Sequence, residues 1–330
     1  MGEGTRSGRR GRVLAACAAL MALVLLCHQW IPNTPWRLGS LVESFLPWFG
    51  LLGTAALLTL ALVLCRSRPV LVLIVLLPLA AWTFRFGTLA LPSSGRGELV
   101  VVQHNASDEN PDPAGTARAL SAHGPDLIAL EELLPRARAV YERSLARSHP
   151  HHAVVGTVGL WSRYPLSGVR AQDIKPAGIT EPWNRGLRAV VRAPQRAVAV
   201  YVAHLPSIRF GAGGLESAWR DESARRLGAA VAAEPTDTVV VLGDLNGTVD
   251  DRGLAPLTSR LSVPARGFAF SYPASFPVAR IDQVLARSAT VDRIRTLPRT
   301  GSDHLPVLAR ISLDGPVSAA PVASPDRSTR

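Results

Sequence analysis

The sequence has little cysteine: Cys17, Cys27 and Cys65 all lie in its apolar N-terminal part. The remainder of the chain therefore has no disulfide, no zinc–thiolate site and no cysteine nucleophile. Charged residues are also scarce, at 18%, while hydrophobic residues make up 47%, which is too apolar for intrinsic disorder. The 330 residues leave room for one large domain plus an additional element, or for two small domains.

The formal net charge of +11 is unevenly distributed along the chain. Residues 1–96 carry nine Arg against Glu3 and Glu43, a net +7, which leaves 27 basic and 23 acidic residues, a net +4, for residues 97–330. The strongly basic part therefore flanks the apolar segment. This distribution disfavours a basic nucleic-acid-binding surface on the C-terminal part.

Three long apolar runs lie in the N-terminal segment, at Val13–Ile31, Phe45–Cys65 and Val70–Leu91. Each approaches the roughly 20 residues that a helix needs to cross about 30 Å of hydrocarbon. The runs predict three transmembrane helices that form an anchor over residues 13–91, preceded by a basic cytoplasmic N-terminus over residues 1–12.

A cleaved signal peptide is the alternative interpretation of the first run, because basic residues precede its apolar core. The residues that follow, Cys27 to Pro32, offer no small-x-small cleavage site, and two further apolar runs come after them. Retention of the first run as a helix is therefore favoured.

The arginines predict the orientation of the anchor. Four Arg precede the first run, Arg66 and Arg68 separate the second from the third, and only Arg37 lies between the first and second. Because cytoplasmic loops are enriched in basic residues, we expect the N-terminus and the second loop to be cytoplasmic. Everything after Leu91 is then extracytoplasmic on a multi-pass cell-membrane protein, with the lipid bilayer as a partner and residues 92–98 as a linker.

From Leu99 onward, short β-branched runs alternate with helical patterns. Buried strands are predicted at Leu99–Val102, Leu127–Leu130, Ala197–Ala203, Thr238–Leu242 and Gln283–Leu285, and helices at Pro113–Ala122, Pro135–Ala146 and Leu215–Ala233. The pattern predicts a mixed α/β domain over residues 99–314. The Pro, Ala and Ser content of residues 315–330 predicts a disordered tail.

Polar side chains recur where the predicted strands end. A single residue of this kind is more often a turn former or a structural residue than a ligand. Several such blocks in one domain predict a metal-dependent hydrolase site, because they combine oxygen ligands for hard cations with two imidazoles and phosphate-binding amides. The blocks contain Asn105, Glu131 and Glu132, His204, Asp244 and Asn246, Asp282, and Asp303 and His304.

In their order along the chain, these blocks resemble the endonuclease/exonuclease/phosphatase superfamily, which includes deoxyribonuclease I, abasic-site endonucleases, sphingomyelinases and inositol polyphosphate 5-phosphatases. The resemblance covers roughly Glu98 to Leu313 and includes the motifs at Trp161 to Pro165, Gly243 to Asn246 and Ser302 to His304. It implies a four-layer α/β/β/α sandwich of the deoxyribonuclease I type.

The resemblance also implies a metal site. Asn105, Glu132 and Asp303 match the positions of the family's metal shell, with Mg²⁺ or Mn²⁺ as the expected ion. The family usually has Gln before the metal-binding Glu, where this chain has Glu131, and Trp or Tyr before the Asn, where this chain has His104. By register the ligand role falls to Glu132, and Glu131 is expected to be its structural neighbour.

The same resemblance implies catalytic roles. Asp244 would orient or deprotonate the attacking water, and Asn246 would donate to a non-bridging phosphate oxygen. His304 would hydrogen-bond the phosphate with Asp282 as its carboxylate partner. His204 would act from the opposite side, stabilising the phosphate or protonating the leaving group. Contact of Arg163 and Arg185 with a second phosphate is the less favoured interpretation, because surface Arg are abundant here.

An anchor followed by this domain is also similar to a narrower group, the actinobacterial VanJ-type membrane proteins associated with teicoplanin resistance. The linker has seven residues, 92–98, with a root-mean-square reach of about 15 Å, so it would hold the domain against the membrane. A lipid-linked phosphate would be concentrated there.

The predicted function is therefore that of a membrane-anchored, metal-dependent phosphoesterase. Its substrate would be a lipid-linked phosphate or pyrophosphate at the outer membrane surface, and a polyprenyl pyrophosphate carrier of wall synthesis is the narrowest expectation. Two alternatives stay open: an extracytoplasmic nuclease, with nucleic acid the less favoured partner, and a non-catalytic module that binds a wall precursor.

Overall fold

A computed structural model describes residues 2–34, 36–64, 75–90, 99–264 and 267–313 of the chain. Several expectations concern residues outside these ranges. They are the linker at 92–98, the tail at 315–330, both ends of the third apolar run, and the loop that carries Arg66 and Arg68.

Helices make up the N-terminal part of the described chain. They are α1 (Gly2–Cys27), α2 (Leu38–Ser44), α3 (Leu46–Leu64) and α4 (Leu77–Ala90), with a short 3₁₀ turn at His28–Trp30. By length and composition alone, two stretches, Arg9–Trp30 and Leu46–Val63, could cross a membrane. Of the third predicted span, the described residues show a helix of 14 residues, α4, which does not meet that length.

The long helices pack in alternating directions. Leu14, in the first half of α1, shares an apolar cluster with Leu57 in the second half of α3. Leu25, near the end of α1, shares another with Leu46 at the start of α3 and with Phe86 near the end of α4. Helix α3 therefore runs antiparallel to α1, and α4 returns in the direction of α1.

The following domain consists of strands and helices in alternation. The strands are β1 (Leu99–Asn105), β2 (Leu127–Glu131), β3 (His151–Val155), β4 (Val158–Ser162), β5 (Leu166–Ala171), β6 (Gly186–Arg192), β7 (Ala197–Ala203), β8 (Arg209–Gly211), β9 (Gly214–Glu216), β10 (Val239–Asp244), β11 (Asp282–Arg287), β12 (Thr290–Thr296) and β13 (Val307–Ser312). The helices are α5 (Pro113–Ser121), α6 (Pro135–Leu145), α7 (Ala218–Ala232) and α8 (Ala255–Thr258), with a 3₁₀ turn at Arg252–Leu254.

Two sheets pack face to face in this domain. One has the strand order β12-β13-β1-β2-β4-β3 and the other β11-β10-β7-β6-β5, while β8 and β9 form a separate hairpin. Val101 of the first sheet and Val200 of the second belong to the same buried cluster between them. Helices cover both outer faces, with Leu120 of α5 against the first sheet and Leu227 of α7 against the second. This layering of helices, two sheets and helices fits the deoxyribonuclease I-like fold.

The strand ends that carry polar residues meet at one edge of the sandwich. Strands β1 and β2 are parallel, with Asn105 opposite Glu131, and β7 and β10 are parallel in the second sheet. Because carboxyl ends of parallel strands lie at the same edge, the sequence positions that follow them converge. The predicted helix start at Leu215 is wrong, because Leu215 pairs with Phe210 in the β8–β9 hairpin and α7 begins at Ala218.

Candidate active site

A histidine and two aspartates form the buried centre of the site. Antiparallel pairing places Asp244, the last residue of β10, opposite Asp282, the first residue of β11. His304 Nδ1 lies 2.8 Å from Asp282 Oδ2, and His304 Nε2 lies 3.8 Å from Asp244 Oδ2. Asp282 also accepts hydrogen bonds from Ser271 Oγ at 2.5 Å and Gln103 Nε2 at 3.1 Å. Asp282 is therefore held on three sides and fixes the ring of His304.

Charge sets the protonation of this centre. Burial lowers the pKa of His304, but the charges of Asp282 and Asp244 outweigh burial and raise that pKa to about 10. For Asp282, burial raises the pKa, but the charge and hydrogen bond of His304 bring it below its usual value. Burial, with a further contribution from the charge of Asp282, raises the pKa of Asp244 to about 7. An imidazolium–carboxylate pair thus faces a carboxyl group that titrates near neutral pH.

A second imidazole, His204, approaches the same oxygen of Asp244 as His304 does. Its Nε2 atom is 3.7 Å from Asp244 Oδ2 and 3.8 Å from Glu132 Oε1, and its Nδ1 atom is 3.4 Å from a guanidinium nitrogen of Arg185. Burial, and to a lesser degree the charge of Arg185, lower the pKa of His204 to about 3. A neutral ring favours the stabilising role expected for His204 over the protonating one.

A glycine, Gly243, allows the ends of the parallel strands β7 and β10 to approach closely. A Cβ atom on Gly243 would lie 1.9 Å from the carbonyl oxygen of Ala203 on β7, and the Gly243 φ angle is +156°. Any other residue would push the strand ends apart. Gly243 therefore allows the next residue, Asp244, to lie close to His204, the residue after Ala203.

Asn105 and Glu132 form the more open side of the site. Asn105 Nδ2 lies 3.1 Å from Glu132 Oε1 and 3.1 Å from Asp244 Oδ2. Glu132 has a left-handed φ of 56°, which turns the chain out of strand β2, and its side chain is 30% exposed. The carboxylate of Glu132 therefore contacts Asn105 of the site and is also accessible to solvent.

Its neighbour Glu131 lies behind the site. Glu131 is the last residue of β2, fully buried, and accepts a hydrogen bond of 2.8 Å from Gln103 Nε2. Burial, with contributions from the charges of Asp282 and Asp244, raises the pKa of Glu131 well above its usual value. A buried carboxyl group with a raised pKa therefore occupies the position where the resemblance leads us to expect a glutamine.

Two of the predicted site residues, Asn246 and Asp303, make few contacts with the other predicted residues. Asn246 donates its backbone N–H to Asp244 Oδ1 at 3.0 Å and its side-chain nitrogen to the carbonyl of Leu205 at 2.9 Å, so one amide N–H is already used. The side chain of Asp303 is exposed. Within the described ranges the Asp303 carboxylate has no hydrogen bond or ion pair, so the three predicted metal ligands do not contact one another as a set.

The donor groups nevertheless fit a divalent cation. His204 Nε2 is buried and has no hydrogen-bond partner among the described residues, and its distances of 3.7 and 3.8 Å to two carboxylates are too long for hydrogen bonds. Asp244, Asp282 and His304 offer ligand atoms within 4.8 Å of one another, but Asp282 and His304 bond to each other. The carboxylate oxygens of Glu132 and Asp244 are better candidate ligands for the cation than Asp282 and His304, because hard cations prefer oxygen ligands.

Sequence reasoning missed several residues that shape the site. Ser271 and Gln103 hold Asp282, and the ring centroid of Tyr272 is 4.8 Å from that of His304. Ser302 accepts the backbone N–H of His304 at 3.0 Å and donates to the Asn105 carbonyl at 2.7 Å. Only Ser302 carried a sequence signal, since it belongs to the Ser302 to His304 motif.

The folded domain matches a known protein family. A profile described as the Endonuclease/Exonuclease/phosphatase family matches residues 95–304, well over half of the chain. The chain belongs to this family. The match begins after α4, so the family assignment concerns the folded domain and leaves the N-terminal helices to be interpreted separately. No curated protein matches the sequence.

Solved structures show the same fold at low sequence identity. Humanized D. rerio TDP2 has a TM-score of 0.53 and 17% identity, covering 65% of this chain and 98% of that one. A mutant beta toxin from Staphylococcus aureus, with bound magnesium ions, has a TM-score of 0.50 and 14% identity, covering 64% and 99%. A Bacteroides thetaiotaomicron mannosyl-6-phosphatase has a TM-score of 0.51 and 14% identity, covering 65% and 99%. At these identities the likeness shows the fold alone.

Proposed function

We propose that this chain is a membrane-anchored, divalent-metal-dependent phosphoesterase that hydrolyses a lipid-linked phosphate or pyrophosphate at the outer membrane surface. The observation that carries the proposal is the meeting of two carboxylates, Glu132 and Asp244, with two imidazoles, His204 and His304, at an edge of the domain that is joined to the apolar helices. Magnesium in the beta toxin of the same fold supports Mg²⁺ as the ion, with Mn²⁺ as its substitute.

The chemistry follows from the charge of a phosphate ester, whose anionic oxygens repel an attacking water. A divalent ion bound by Glu132, with Asn105 and Asp303 near it, would neutralise part of that charge. Asp244 is placed to orient the water and accept its proton. His304 is placed to donate from Nε2 to a phosphate oxygen, because its Nδ1 is engaged by Asp282 at 2.8 Å.

Exposed apolar side chains on the N-terminal helices support a membrane anchor. The exposed fractions are 61% for Leu20 of α1, 64% for Leu52 of α3 and 83% for Phe84 of α4. Side chains of this kind on three neighbouring helices form a surface that water does not favour and hydrocarbon does. Since α1 packs against both other helices, we expect it to be retained as a helix and not cleaved as a signal peptide.

The contacts between helices and domain support a location at the outer surface. The chain near the end of α1, the start of α3 and the end of α4 all contact the domain, whereas Arg9, Arg10 and Arg12 lie toward the opposite end. A basic far end is the arrangement expected for a cytoplasmic N-terminus. The hydrogen bonds run from Arg252 to the Ile31 carbonyl at 2.8 Å, from Trp48 Nε1 to the Val278 carbonyl at 2.6 Å, and from the Gly267 N–H to the Leu89 carbonyl at 2.9 Å.

A short loop joins this contact surface to the catalytic centre. The ring centroid of Phe270 lies 5.3 Å from that of Trp48, the third residue of α3. The next residue, Ser271, donates to Asp282 at 2.5 Å. Two consecutive residues, Phe270 and Ser271, thus connect the helices to the carboxylate that orients His304, which supports a site near the proposed membrane surface. A lipid phosphate would be held there at high effective concentration.

The sharpest substrate expectation is a polyprenyl pyrophosphate carrier of wall synthesis. The resemblance to VanJ-type membrane proteins that the sequence suggests would link this substrate to glycopeptide resistance. Phosphate release by the purified full chain in detergent micelles tests it, with a prenyl diphosphate, a lipid phosphodiester and DNA as substrates in the presence of Mg²⁺.

We expect the lipid substrates to be hydrolysed and Glu132→Gln to remove that activity. Hydrolysis of DNA alone would instead establish the nuclease alternative. Binding of the prenyl diphosphate without hydrolysis of any substrate would establish a non-catalytic module that binds a wall precursor.

A further inference from the structure

A pocket of about 510 Å³ opens beside the candidate active site. Its lining combines apolar residues, Trp183, Trp219 and Pro206, with two arginines, Arg185 and Arg209. The roles assigned to the catalytic centre use none of these residues. The pocket therefore has room for a part of the substrate other than the phosphate that reacts.

Arg185 joins the pocket to the catalytic centre. A guanidinium nitrogen of Arg185 lies 3.4 Å from His204 Nδ1, and the Arg185 carbonyl accepts the His204 backbone N–H at 2.9 Å. The guanidinium carbon lies 5.2 Å from the ring centroid of Trp183, a cation–π contact that fixes its position. Within the described residues no carboxylate pairs with Arg185, so a positioned positive charge is left for a ligand.

Arg209 supplies a second guanidinium from the β8–β9 hairpin. It is exposed and lies opposite Glu216 across the hairpin, yet no ion pair joins the two side chains in the described structure. Glu216 also lines the pocket, so two guanidiniums face one carboxylate and the balance is positive. Guanidinium groups suit phosphate oxygens because their planar N–H pairs can donate to two oxygens at once.

We infer that Arg185 and Arg209 bind a second phosphate that belongs to the leaving group, so that the substrate is a lipid diphosphate and not a lipid monophosphate. This inference rests on the proposed function. The water oxygen forms a bond to the terminal phosphorus and gives a proton to Asp244, while the bond from that phosphorus to the bridging oxygen breaks. The electron pair leaves with the lipid monophosphate, whose added negative charge the two guanidiniums stabilise, and inorganic phosphate is the other product.

The apolar residues that line the pocket suit the carbon chain that follows this second phosphate. Trp183 and Trp219 offer flat apolar surfaces, and the side chain of Trp219 is 52% exposed. The hairpin that carries Arg209 is itself hydrogen-bonded to the anchor side, since the Leu215 N–H donates to the Trp36 carbonyl at 3.2 Å. The hairpin that carries Arg209 therefore contacts both the pocket and the chain that precedes α2.

The test compares farnesyl diphosphate with farnesyl monophosphate on the purified full chain, with Mg²⁺. We expect kcat/KM to be at least about tenfold higher for the diphosphate, and Arg209→Gln to reduce that ratio about tenfold, chiefly through KM. Arg225→Gln, which removes an exposed arginine on α7 outside the pocket, is the matched control and should leave the ratio unchanged.

A ratio near one for the unchanged chain, or an equal loss on both substrates in Arg209→Gln, would overturn the inference while leaving a phosphoesterase in place. Calorimetric binding of inorganic pyrophosphate and inorganic phosphate separates the two proposals further. A preference for pyrophosphate that Arg209→Gln abolishes, in a chain that hydrolyses neither substrate, would support the pocket and reject the proposed function. Equal binding of both anions and no hydrolysis would reject both.

Discussion

The guanidinium of Arg252 and the carboxylate of Glu43 form an ion pair that joins the folded domain to the N-terminal helices. Arg252 Nη2 lies 2.8 Å from Glu43 Oε1, and both Nε and the backbone N–H of Arg252 donate to Oε2 at 2.9 Å. Burial raises the pKa of Glu43, but hydrogen bonds from His28 and Arg252 outweigh it and leave that pKa below its usual value. Glu43 is therefore charged at neutral pH, and the helices and the domain are fixed to each other.

Removing the Glu43 charge should loosen this junction. In Glu43→Gln the guanidinium of Arg252, whose side chain is 25% exposed, loses its charged partner. Breaking a fully buried pair costs about 3 to 5 kcal/mol, so about 2 kcal/mol is expected for this partly exposed one. In detergent, the thermal unfolding midpoint should fall by about 5 °C. Glu222→Gln, which breaks the more exposed pair of Glu222 with Arg226, is the control, and an equal fall in both variants would contradict a special role for Glu43.

The two adjacent glutamates should respond differently to the same substitution. Glu132→Gln keeps the size of the side chain but removes the charge proposed to bind the metal, so activity should fall at least about 100-fold with the protein still folded. Glu131→Gln should be mild, because the buried Glu131 acid accepts from Gln103 through an oxygen that an amide also provides. Phosphate release and circular dichroism of both variants check this. Loss of activity in Glu131→Gln alone would show that the ligand register is wrong.

The pH dependence of turnover should report the Asp282–His304 pair. If a charged His304 is required, activity falls as the pH rises through its pKa, which the two aspartates raise to about 10. Asp282→Asn removes the nearer negative charge and lowers that pKa, so the alkaline limb of the pH–rate profile should move to lower pH. An unmoved limb would speak against the imidazolium role.

The same pair should behave as a unit in a double-mutant cycle. His304→Ala should reduce turnover strongly in the unchanged chain and much less in the Asp282→Asn background, because the pair is already broken there. Fully additive losses would show that the two residues act independently.

Turnover should depend on a divalent cation. Treatment with EDTA should abolish phosphate release, and Mg²⁺ or Mn²⁺ should restore it, because the oxygens of Glu132 and Asp244 provide a binding place for a hard cation. A magnesium titration of Asp303→Asn gives the second readout. A raised magnesium requirement would place the exposed Asp303 in the metal shell, whereas an unchanged requirement would remove it from the predicted set.

The orientation of the anchor can be measured with fused reporters. A reporter after Leu313 should behave as extracytoplasmic and one before Gly2 as cytoplasmic, because the domain and the N-terminus of α1 lie at opposite ends of the helices. The reverse pattern would remove the basis for a substrate in the outer leaflet.

Local pattern determined much of this structure. Strand β7 has the bounds predicted for it, Ala197–Ala203, because continuous β-branched and small apolar residues favour a strand buried on both faces. The polar residues at or just after the ends of β1, β2, β7 and β10 could be expected to lie together for a related reason, since parallel strands end at a common edge. The long apolar runs likewise predicted helices from composition alone, although the described part of the third is shorter than a span.

Contacts between distant parts of the chain were decided only by the tertiary structure. Glu43 and Arg252 are 209 positions apart, and neither belongs to a motif, so no local period could pair them. Ser271 donates a hydrogen bond to Asp282, and Arg185 contacts His204. Ser271 and Arg185 lie in loops whose paths depend on the packing of both sheets. Helix α7 starts three residues later than its pattern predicted, because Leu215 pairs with Phe210 in the β8–β9 hairpin. Hydrophobic period fixes which face of a segment is buried, whereas the partner of a polar side chain is chosen when the segments meet.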